Sequence, residues 1–87
     1  MESVAGNCTK IVKPEAPADT VNALIEVQFA VVNGKVTKMD VLKQSYTPNI
    51  NPRAKRAYIT AIEAALAEYV CPGDHAAFKQ EFAFKPE

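Results

Sequence analysis

Between Leu24 and Val32 apolar and polar residues alternate. Ile25, Val27, Phe29 and Val31 fall on one face and Glu26 and Gln28 on the other, the period-two signature of a half-buried strand. Asn33-Gly34 follows, the strongest short hairpin signal a sequence carries. A second alternating run then sets Thr37, Met39 and Val41 on one face and Lys38 and Asp40 on the other. With regular strands, a two-residue Asn33-Gly34 loop sets Phe29 opposite Lys38 and Val27 opposite Asp40, with charges beside core side chains. A three-residue loop, Val32-Asn33-Gly34, with Gly34 left-handed in a bulge, pairs Val27 with Met39 and Ile25 with Val41. One residue of slip turns over a whole face, so the bulged register is the one expected.

Residues 45–50, Ser-Tyr-Thr-Pro-Asn-Ile, read as a polar, turn-prone connection. Asn51 as N-cap and Pro52 at the first helical position open the clearest helix. Tyr58, Ile59, Ile62, Ala65, Leu66 and Tyr69 form its apolar stripe, and Arg53, Arg56, Thr60 and Glu63 its outer side. The stripe runs to Val70-Cys71-Pro72-Gly73, where Pro72 and Gly73 stop it and leave Cys71 at the helix terminus. The last element, Ala76 to Lys85, alternates again. Phe78, Gln80, Phe82 and Phe84 share one face, and Lys79 and Glu81 the other. Near the amino terminus, Lys13-Pro14-Glu15-Ala16-Pro17 is a stiff extended stretch, and Pro17 suits the start of a short helix through Asn22. Residues 1–7 read as a flexible tail and 8–87 as one domain. The fold class expected is α+β: a short N-terminal helix, a β-hairpin, a long amphipathic helix and a final strand. These make a three-stranded, mainly antiparallel sheet with helices on one face.

Eighty-seven residues suffice for one small domain that buries about 60% of its unfolded surface, so the core is thin. Ten basic residues balance ten acidic ones; a nucleic-acid partner, which draws affinity from a basic excess, is not expected. No apolar run approaches the roughly 18 residues a membrane span needs. Met1 to Gly6 lack the charged and apolar regions of a signal peptide. Cys8 and Cys71 are the two cysteines. With one histidine they are too few for a structural zinc site. They are either two buried thiols or one disulfide. A bridge would close a loop of about 64 residues, worth roughly 4 kcal/mol, and a thin-cored domain gains most from such a staple. The disulfide is the expected reading, and it implies an oxidising compartment.

No nucleophile motif, phosphate loop or dinucleotide fingerprint appears, and the carboxylates are scattered without calcium-loop spacing. Asp74-His75 after Gly73 reads as a solvated turn. Lys10, Lys13, Lys35, Lys38 and Lys43 read as solvated surface. Tyr58, Tyr69 and the late phenylalanines follow helix and strand periods and read as core. Neither an enzyme nor a cofactor is expected. What remains is the sheet edges. An exposed strand edge offers unpaired backbone groups that another strand can take up. Lys79 and Glu81 fit such a docking edge and equally fit a guard against aggregation.

The order of elements, with Pro14-Glu15-Ala16-Pro17, Phe29-Ala30-Val31, Gly34-Lys35-Val36, Met39-Asp40-Val41, Tyr69-Val70-Cys71-Pro72 and Phe82-Ala83-Phe84, resembles the carboxy-terminal domain of TonB-type energy transducers. The resemblance covers about residues 8–86. Ala16 stands where that family has tyrosine, and Cys71 where it has an aromatic, as in small secreted TonB-like proteins with a disulfide. The related TolA carboxy-terminal domain is the second family resembled. The TonB resemblance implies a periplasmic or secreted module that captures an extended segment of an outer-membrane or periplasmic partner by strand addition. The capturing edge would be Phe78, Lys79, Gln80, Glu81, Phe82, Ala83 and Phe84. The alternative is a structural protein that uses the same edge to form a homodimer.

Overall fold

The computed structural model describes residues 7–18 and 20–86. Three strands and one helix follow in the order β1 (Asn22–Val32), β2 (Lys35–Thr47), α1 (Pro52–Leu66) and β3 (His75–Phe84). The sheet is antiparallel throughout, with β1 in the middle, β2 on one side and β3 on the other. Strands of 11 and 13 residues rise about 3.3 Å per residue, which accounts for a longest dimension of 39 Å against 21 and 19 Å across.

The central strand carries the expected faces. Ala23, Ile25, Val27, Phe29 and Val31 are buried, and the residues between them are exposed or half-buried. Tyr58, Ile62 and Leu66 of α1 and Phe78, Phe82 and Phe84 of β3 complete one cluster. A single helix therefore covers one face of the sheet, and the other face stays open. The open face is mixed, with exposed Leu24 and Val32 beside Glu26, Gln28, Lys79 and Glu81, and its charges are arranged. Glu26 lies opposite Glu81 on β3 and opposite Lys43 on β2. Lys79, diagonal to it, closes a 3.4 Å ion pair with Glu26, offsetting the like-charge facing.

The hairpin register differs from the expected one. Asn33 (φ 52°) and Gly34 (φ 84°) form a two-residue loop with both residues left-handed, and Val32 faces Lys35 directly. That is the turn whose twist matches the strands. The bulge foreseen at Gly34 lies in β2 instead. Thr37 is left over between the pairs Val31–Val36 and Ala30–Lys38, and Leu42 between Val27–Val41 and Glu26–Lys43. Phe29 consequently faces Met39 rather than Lys38. The charge conflict that counted against the short loop is thus removed by extra residues in the strand. Thr37 is exposed, not a core residue.

Three boundaries also shift. The expected connection at 45–50 is strand as far as Thr47. Tyr46 pairs with Ala23, is buried, and packs at a tilt against Tyr58, ring centroids 5.5 Å apart. Burial, and secondarily Tyr58, raises its phenol above the usual 10.0. The expected short helix after Pro17 is absent from the described residues, and Asp19 lies outside them. Ala18 forms a turn and the Thr20 hydroxyl donates to the Pro17 carbonyl. The sheet claims the chain from Asn22 onward, leaving too few residues for a helix to pack. Finally, α1 ends at Leu66. Glu68 and Tyr69 donate to Ala65 and Leu66, tightening the last turn, and the chain straightens because Val70 pairs with Lys10. Tyr69 still reaches the core from beyond the helix, with its ring edge-on to Phe29 at 6.2 Å. Residues 1–6 of the expected tail lie outside the described residues.

The helix start is as expected. Asn51 accepts from the Ala54 N–H at 2.8 Å through Oδ1, with proline in the first turn. The first turn holds no acidic residue, and Arg53, Lys55 and Arg56 stand against the positive end of the helix. The cap therefore carries this terminus. Replacing Asn51→Ala is expected to cost about 1 kcal/mol, read as a lower denaturant midpoint with unchanged slope. An unchanged midpoint would contradict that role.

Candidate functional site

The two ends of the molecule are tied differently. At one end Cys8 and Cys71 are disulfide-bonded. Beside them the Thr9 and Lys10 N–H groups donate to the Val70 carbonyl, and Val70 donates back to Lys10. The hairpin tip docks here too: Gly34 donates to Gly73, Cys71 donates to Gly34, and Asp74 Oδ1 accepts from the Asn33 N–H at 2.7 Å. Asp74 is exposed, as expected, while also holding the hairpin tip, whereas His75 is half-buried and belongs to the sheet. His75 opens β3 and its ring lies 4.6 Å from Phe78. Cys71 is buried in the loop after α1, not at the helix terminus. At the other end Tyr46, Tyr58 and Phe84 make an aromatic group, with Tyr58 and Phe84 edge-on at 5.0 Å. Tyr58 Oη accepts from the Val21 N–H at 2.8 Å. The segment 11–18 runs between these two anchorages.

All seven residues of the expected peptide edge lie on β3. Phe78, Phe82 and Phe84 are buried, Gln80 is half-buried, and Lys79, Glu81 and Ala83 are exposed. The sheet order makes β3 one of two outer strands, and the two edges are not alike. The β2 edge is broken by extra residues at Thr37 and Leu42 and carries Lys35, Lys38 and Lys43, the devices that keep an edge from pairing. Along β3, by contrast, Phe78 to Phe84 hold unbroken register with Phe29 to Ala23, and the only shift falls before them, at Ala76 and Ala77. This stretch is unbroken and seven residues long. Among the described residues, no backbone hydrogen bond joins segment 11–18 to it.

A cleft of about 950 Å³ lies beside the carboxy-terminal half of this edge. Its floor includes Phe82 and Phe84, and its far wall is the segment Pro14–Ala18. On the other side of that segment a second groove of about 1010 Å³ separates it from α1. The periodicity of the sequence located the strand and its two faces, but nothing in it located the wall. Pro14, Ala16 and Pro17 face β3 across the cleft only because the chain is tied at Cys8 and again at Val21.

The disulfide points to an oxidising, extracytoplasmic environment. Among the described residues no helix is long and apolar enough to cross a membrane. No protein-family model, curated protein or solved structure matches the chain.

Proposed function

We propose that this chain is a peptide-capture module of TonB type. In this reading it works in the periplasm or outside the cell. There, β3 takes up an extended segment of an outer-membrane or periplasmic partner as a fourth strand, either on its own or as the terminal part of an energy transducer. The observation that carries the reading is the difference between the two edges. β2 is bulged and lysine-studded, whereas β3 is regular from Phe78 to Phe84 and borders a cleft. Strand addition draws its affinity from main-chain hydrogen bonds and needs no particular side chain at the edge. It therefore does not call for a catalytic group.

The test follows from that physics. In an extended peptide only alternate N–H groups face the strand it joins. N-methylation of one alternate set of amides should abolish binding, and methylation of the other set should leave it largely intact. Equal tolerance of both would exclude strand addition. A homodimer formed through the same edge is the other outcome to watch, and light scattering over a concentration series detects it. A chain that stays monomeric leaves its edge free for a partner.

A further inference from the structure

Resting on the strand-capture reading, we infer that the partner strand is held in a slot between β3 and segment 13–18, not on an open edge, and that this slot selects an acidic peptide. The geometry carries the first half. The segment is anchored at both ends, by the Cys8–Cys71 disulfide with the Lys10–Val70 pairing and by Val21 on Tyr58. Between those ends it stands off the sheet across a cleft of about 950 Å³. Any strand added along the second half of β3 must run through this space, because the segment walls the same residues, Glu81 to Phe84, that present the edge. Its inward side chains would meet Phe82, Phe84, Pro14 and Pro17, an apolar lining that suits aliphatic residues at alternate positions.

The charges carry the second half. Lys13 and Lys85 line the cleft and are exposed. The ion pairs among the described residues join Lys10 to Glu68 and Lys79 to Glu26, and involve neither of these two lysines. Glu81 is the one acidic residue among the described residues lining the cleft. The described part of the rim therefore carries two lysines against one glutamate, on a protein whose overall charge is zero. Carboxylates at the solvent-facing positions of a bound strand would meet unpaired ammonium groups, whereas lysines would be repelled.

Two short peptides test this against the intact, oxidised protein: one alternates valine with aspartate, the other valine with lysine. At low salt the acidic peptide should bind roughly tenfold more tightly, as expected from two exposed pairs gained and two repulsions avoided. That preference should shrink as salt is added and reverse in a Lys13→Glu/Lys85→Glu variant. Ala16 is exposed and lines both grooves. Ala16→Trp should therefore leave the circular dichroism spectrum unchanged while weakening the acidic peptide by at least about tenfold through lost space. Equal binding of both peptides at residues 78–84, unaffected by Ala16→Trp, would overturn the slot and leave an open capturing edge. Failure of either peptide to perturb 78–84 would instead overturn the capture reading on which the slot depends.

Discussion

Reducing the Cys8–Cys71 bond is expected to lower the free energy of unfolding by about 4 kcal/mol. The bridge joins residues 63 positions apart, and opening so long a loop restores the entropy it had removed from the unfolded chain. A domain of this size has on the order of 5–10 kcal/mol in total, so the reduced protein should sit near the margin of stability. Urea titrations with and without reductant measure the effect, and a thiol assay on unfolded, unreduced protein should find no free thiol. Two free thiols in that assay would overturn the bridge itself. The paired Cys8→Ser/Cys71→Ser variant should behave as the reduced protein does. The hydrogen bonds of Thr9 and Lys10 with Val70 still hold the amino-terminal segment there, but two or three such bonds replace little of what the covalent link supplies.

The second large effect is expected at Phe29. Its side chain is almost wholly buried in the middle of β1. It meets Phe78 of β3 at 5.5 Å and Tyr69 beyond α1 at 6.2 Å. Phe29→Ala removes the ring that joins strand, strand and helix exit, and should cost about 3–5 kcal/mol. In a chain this short that corresponds to a fall in melting temperature of roughly 15–30 °C. The exposed Leu24, on the open face of the same strand, serves as the control. Leu24→Ala should change stability by less than about 1 kcal/mol. Similar losses at the two positions would mean that the core does not lie where the alternation of β1 puts it.

What could be read from the sequence was whatever local periodicity decides. Ile25 to Val31, the Asn51-Pro52 helix start and the Phe78-Phe82-Phe84 face each repeat at the spacing of their element, and each is found on the expected side. What could not be read depends on distant partners. Ser45-Tyr46-Thr47 looks like a turn by composition, yet it is strand because Tyr46 packs against Tyr58, twelve positions further on. The leftover residues Thr37 and Leu42 carry no local mark, and they alone reconcile a two-residue turn with a charge-free core. The helix exit is fixed by Lys10, sixty residues earlier in the chain. The site divides along the same line. The strand and its faces were legible, whereas the freedom of its edge depends on the order β2-β1-β3, and the wall of the cleft depends on two tethers that only folding brings together.

The claim that β3 is the working edge is tested most directly by backbone-amide NMR of the oxidised protein, titrated with an extended acidic-aliphatic peptide. The account predicts shifts concentrated at residues 78–84, with smaller ones along 13–18, and little change along 35–47. Shifts that follow β2 or the outer side of α1, with 78–84 unmoved at saturation, would contradict it.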